Sequence, residues 1–176
     1  MAFHMQGGGE PESIGRGKTL TAAKLRNCPT PELEPGDRAA VDTTLAILEC
    51  GFLAVVADGE VDEDELHAMG ECVAAWMGEE VTYEMLEELF ERFGDQVVKE
   101  GFDARLQAIG KTLSGKAVRD VAFDFACHMA AANGEIVDDE AELLGSIGEA
   151  LGMTKDEAAA RFEAILESYG KPAENR

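Results

Sequence analysis

From Asp37 to Tyr169 apolar residues recur at steps of three and four, and no stretch of comparable length alternates apolar with polar. A chain patterned this way can build a core only by burying helix faces. Val41, Leu45, Leu48, Phe52 and Val55 predict one apolar face on a helix from about 38 to 57, which Gly59 ends. Asp62 is the expected N-cap of the next helix, with Glu65 at the capping-box distance and Leu66, Met69, Val73, Trp76 and Met77 as the buried stripe up to Gly78. Thr82 opens a third helix through Leu86, Leu89, Phe90 and Phe93, closed by Gly94. A fourth, about 95 to 112, carries Val97, Val98, Phe102, Leu106 and Ile109, with Gly101 as a candidate break. Three more follow. Ser114 starts one with Val118, Val121, Ala122, Phe125 and Met129, Asp138 starts one with Leu144, Ile147 and Leu151, and Thr154 starts one with Ala158, Phe162, Ile165 and Tyr169. Gly152 and Gly170 close the last two.

The pattern doubles. Ala57-Asp58-Gly59-Glu60-Val61-Asp62-Glu63-Asp64-Glu65 returns as Ala132-Asn133-Gly134-Glu135-Ile136-Val137-Asp138-Asp139-Glu140, an offset of 132 − 57 = 75 residues without a gap. We therefore expect an all-α, compact single-domain bundle of about seven helices, built from two three-helix repeats plus a connecting helix. Neither unit alone would bury its apolar faces, so the two must share a core. Aromatics are only 6% of the 176 residues, and leucine, alanine and valine must fill most of it. The expected division is a flexible Gly/Pro-rich tail over 1–36, the helical domain over 37–170 and a short C-terminal tail over 171–176.

Charge restricts the partners. The formal net charge is −21, and beyond residue 42 ten Lys/Arg face thirty Asp/Glu. Nucleic acid and anionic membrane are held through Lys and Arg, so neither is expected as a partner. Cations and basic protein surfaces are. No apolar run reaches the roughly 18 to 20 residues of a membrane span. Cys28, Cys50, Cys72 and Cys127 form no CxxC pair or zinc-spaced cluster, and three of them fall at apolar helical positions, which predicts a reduced, cytoplasmic protein.

The acidic repeat has two readings. Gly59 and Gly134 serve as helix terminators, Asp62 and Asp138 as N-caps, and Glu65 and Glu140 as early-turn carboxylates favoured by the helix dipole. Asp58 stands instead at a helix C-terminus, where a carboxylate is unfavourable by about 0.3 to 1 kcal/mol. Glu60 and Glu135 lie in the connections, where neither capping nor packing asks for an acid. Residues 39–91 contain 15 Asp/Glu and no Lys or Arg; residues 120–154 contain eight Asp/Glu and again no base. Oxygen-only ligands on irregular loops suit a hard divalent cation, calcium before magnesium. A complete EF-hand is excluded, because its first and third ligand positions would be Ala54 and Val56 in one copy and Met129 and Ala131 in the other. Either the two loops combine around an ion, or they form an ordinary solvated acidic surface.

Other chemistry has little support. Gly17-Lys18-Thr19 lacks the leading glycine of a phosphate-binding loop, with Glu12 in its place. His67 and His128 are single histidines on helices, for which packed or surface roles are expected rather than ligation. Carboxylate pairs are too abundant to single out a catalytic one, and neither an organic cofactor nor a reaction is expected.

Ala57-Asp58-Gly59-Glu60-Val61 before an acidic helix start, Ala132-Asn133-Gly134-Glu135-Ile136 before Asp138-Asp139-Glu140, and the later Leu151-Gly152-Met153-Thr154 together resemble the paired signatures of the TerB-like tellurite-resistance family. The resemblance covers about residues 38 to 169. It implies a compact all-helical domain associated with tellurite resistance and stress responses, without an established enzymatic reaction. It also implies divalent-cation binding through the loop acids, here Asp58, Glu60 and Glu65 with Glu135, Asp139 and Glu140. Asn133 departs from the aspartate more usual in the second copy. An acidic protein–protein interaction domain with no specific metal site is the alternative.

Overall fold

In the computed structural model the described residues are 35–56, 63, 67, 70, 71, 73, 82–132 and 138–170. Six helices have described bounds: α1 (Pro35–Val55), α2 (Tyr83–Glu100), α3 (Phe102–Thr112), α4 (Lys116–Ala132), α5 (Asp138–Ala150) and α6 (Lys155–Ser168). Glu63, His67, Gly70, Glu71 and Val73 are helical as well, where the helix after Gly59 is expected. The bundle is all-α over the described residues. The proposed Asp62–Glu65 capping box, Trp76 and Met77, Cys28 and Cys72, and the tails over 1–34 and 171–176 lie outside them.

α1 is the central element and packs against α2, α3, α4 and α5, while α6 closes over α4 and α5. Its sequence explains that position, since the run from Ala46 to Val55 is buried at every residue. Phe52, Leu53, Leu48 and Ile47 from α1 meet Phe123, Phe125 and Met129 from α4, Ile109 and Leu113 from the end of α3, and Leu144 and Ile147 from α5 in one core. Cys50 and Cys127 are buried free thiols in this core, as expected. Burial in apolar surroundings pushes the Cys50 thiol up to about 12 and raises Cys127 in the same way, so both are inert packing groups.

Most helix boundaries follow the local chemistry. Thr82 caps α2, its side-chain oxygen accepting from the Met85 amide. Thr154 and Glu157 form a complete capping box at α6, and the Thr154 amide holds the Glu157 carboxyl below the usual glutamate range. Gly152 ends α5 with φ 82°. Gly94 does not end its helix, contrary to the sequence expectation, and α2 runs through it to Glu100. A Cβ at Gly94 would stand 4.0 Å from the Phe52 ring, which makes it a place where α2 lies against α1. The break comes at Gly101, with φ 90°, a conformation open to glycine and costly for other residues. The expected 95–112 helix is thus divided between α2 and α3.

Candidate cation-binding loops

The two acidic stretches follow the ends of α1 and α4 in sequence. These helices touch at Gly51, where an added Cβ would lie 2.5 Å from the Phe125 ring and 3.0 Å from Met129 Cγ. Only a residue without a side chain permits that approach. Val55 is four residues past the contact and Ala132 three past Met129, so at 1.5 Å per residue each helix end is within about 4 to 10 Å of it. That limit holds whichever way the axes cross. Each acidic stretch therefore begins within about 10 Å, measured along its helix, of that contact.

Of the acids assigned to the site, Asp58, Glu60, Glu65 and Glu135 lie outside the described residues. Asp139 and Glu140 belong to the first turn of α5, as expected from Asp138 starting that helix, and Glu140 is half-buried. Their backbone position in the first turn of a helix favours negative charge through the helix dipole, which requires no ion. Among the described residues no group of three or more His, Cys, Asp or Glu side chains converges in a way that would hold a metal. His67 is exposed and its Nε2 is 3.6 Å from Glu71 Oε1, a surface contact.

Below the loops the fold supplies bases that the sequence alone does not reveal. Arg105 of α3 reaches Glu49 of α1, with Nε and Nη2 each 2.7 Å from a different carboxylate oxygen, and its Nη1 is 3.0 Å from Glu100. Arg161 of α6 holds Asp124 of α4 through Nε at 2.9 Å and Nη2 at 2.6 Å. Arg119 donates from Nε to the Leu113 carbonyl and from Nη2 to that of Gly110, satisfying the end of α3. All three guanidiniums thus have partners within the helical framework. A signal for the first pair was available: Glu49 is the one charged residue in the otherwise apolar stretch from Leu45 to Ala57. Its partner, 56 residues away, was not.

One turn before the second loop, His128 Nδ1 lies 2.6 Å from Tyr169 Oη. This packed role agrees with the expectation for His128. Burial lowers its pKa from 6.5, against an opposing effect of Asp124. The unfolded chain therefore takes up this proton first as pH falls, and the native state gains none until its own lower pKa is reached. Stability from this group is complete above 6.5 and declines below it. Urea unfolding between about pH 7 and pH 5.5, above the range of ordinary carboxylates, should show the decline. In His128→Gln it should flatten; an unchanged slope would remove His128 as its source.

Residues 44–162 match the family model described as tellurite resistance protein TerB. No curated protein and no solved structure shows significant similarity to the chain.

Proposed function

Because this chain belongs to the TerB family of tellurite-resistance proteins, a family without known catalytic activity, we propose that it is a stress-associated module that binds divalent cations through its two acidic inter-helix loops. Asp58, Glu60 and Glu65 from one loop and Glu135, Asp139 and Glu140 from the other are the ligand candidates, and calcium is the preferred ion. The observation that carries this reading is the contact of α1 and α4 at Gly51, which brings the starts of both loops near one point. Two incomplete sets of oxygen ligands can then serve one ion. Asp58, Glu60 and Glu135, which no capping role accounts for, supply the charge that an ion would neutralise.

We also read the bundle as two related three-helix units. In support, Glu49 and Asp124 differ by 124 − 49 = 75, the offset of the loops, and each binds one guanidinium through both oxygens. The second functional reading, an acidic protein–protein interaction domain with no specific metal site, draws support from the outward face of α2, where Glu84, Glu87, Glu91 and Asp95 are all exposed. No described helix is long and apolar enough to cross a membrane.

Thermal and urea unfolding with and without calcium separate the two readings. A ligand present at about a hundredfold its Kd stabilises the native state by about 2.7 kcal/mol. The stabilisation should disappear in Asp58→Asn/Glu60→Gln and shrink in Glu135→Gln. If millimolar calcium, magnesium and manganese leave unfolding unchanged and these variants are neutral, the interaction-domain reading replaces the cation site.

A further inference from the structure

The face of α2 turned away from the core is predominantly acidic, with Lys99 and Arg92 along one edge. At 100° per residue, Glu84, Glu87, Glu88, Glu91, Asp95 and Val98 fall within an arc of about 100°, opposite the buried Leu86, Phe90 and Phe93. Among the described residues no base pairs with Glu84, Glu87, Glu91 or Asp95. Val98, at the end of this stripe, is 89% exposed and is the large hydrophobic residue most open to water among those described. An acidic stripe alone says nothing about an occupant. The rest of the chain does.

Residues 13–31 contain Arg16, Lys18, Lys24 and Arg26 and no Asp or Glu, interleaved with Ile14, Leu20 and Leu25. This is the basic stretch of a chain whose remainder is strongly acidic, and it is tethered to the start of α1. α1 starts at Pro35 and reaches Glu49 fourteen residues later, about 21 Å along its axis. Arg105 joins Glu49 to Glu100, so the Val98 end of α2 lies at the level of Glu49. Residues 27–34 span up to about 26 to 29 Å when extended, enough to deliver Arg26 to that end. From Glu84 to Asp95 the stripe runs about 16 Å, and the ten residues from Arg16 to Arg26 cover at least about 15 Å even when helical.

We propose that residues 14–26 dock on the outward face of α2 in the same chain, with Arg16, Lys18, Lys24 and Arg26 against Glu84, Glu87, Glu91 and Asp95 and an apolar residue covering Val98. The tether replaces a bimolecular encounter by an intramolecular one, which raises the effective concentration of the basic segment to the millimolar range or above. The bound segment neutralises the acidic face, so a basic partner meets that face only after displacing it.

Zero-length carbodiimide cross-linking of the dilute full-length protein, mapped by mass spectrometry, tests this. Lys18 and Lys24 should join Glu84, Glu87, Glu91 or Asp95 within one chain at low salt. The yield should fall severalfold at 1 M salt, where the screening length shrinks from about 10 Å at 0.1 M to about 3 Å. Glu84→Gln/Glu87→Gln/Glu91→Gln/Asp95→Asn, all at exposed positions, should abolish these cross-links and increase amide exchange in residues 14–26. Cross-links that form only between chains, that join the lysines instead to the loop acids around Glu60 or Glu135, or that survive in the fourfold variant would overturn the proposal.

Discussion

Arg105→Ala is expected to lower the unfolding free energy by about 3–5 kcal/mol, because it leaves a carboxylate without its partner in the middle of the core helix. Glu49 is 4% exposed, and both its oxygens are held at 2.7 Å by the one guanidinium. Removing the arginine leaves both oxygens of this buried carboxylate without their donors. Lys116–Asp120 and Lys155–Glu149 are the contrasting cases, since both lysines are exposed and each pair contributes about 1 kcal/mol or less. The double variant Glu49→Leu/Arg105→Leu should recover most of the loss, because replacing a buried pair by apolar side chains is commonly neutral or stabilising. Urea unfolding of the parent, the single and the double variant measures this. A single variant within about 1 kcal/mol of the parent would show that the pair contributes no more than an exposed one.

Phe52→Ala should cost a similar amount, about 3–5 kcal/mol, for a different reason. The Phe52 ring is stacked on Phe90 with centroids 5.3 Å apart and tilted against Phe93 at 5.6 Å. It is the main apolar link between α1 and α2. Truncation leaves a cavity bordered by two rings that remain attached to α2, and it also removes aromatic pair terms of about 0.5–1.5 kcal/mol each. Phe52→Leu keeps most of the volume and should lose less. The loss should appear as increased amide exchange in α2 before global unfolding, while α4 and α5 keep their protection. Uniform loss across all helices would contradict this assignment of Phe52 to the α1–α2 link.

The helical class and most helix starts were legible because they depend on neighbours in sequence. Thr82, Thr154 with Glu157, and the three-and-four spacing in α1 and α4 act within a single turn. Gly94 and Gly101 show where that reading stops. Both are glycines near the end of an apolar run, and only the fold distinguishes them: one continues its helix beside Phe52, the other takes a positive φ. The ion pairs of Glu49 and Asp124 were hidden for the same reason, since their arginines are 56 and 37 residues away. For the candidate site, the acids and their unfavourable setting were legible from charge and the helix dipole. The close contact of α1 and α4 below them was not, because it depends on the absence of a side chain at Gly51.

That absence also has a mechanical consequence. The contact at Gly51 acts as a fulcrum with short arms, at most about 10 Å from the pivot to either helix end. A rocking of one helix by about 10° moves its end by less than about 2 Å at that radius. The contact thus keeps the ends of α1 and α4 at a nearly constant span. For the cation site proposed above, a choice between calcium and the smaller magnesium would rest on the stretches around Glu60 and Glu135, with the helices serving as a stiff frame.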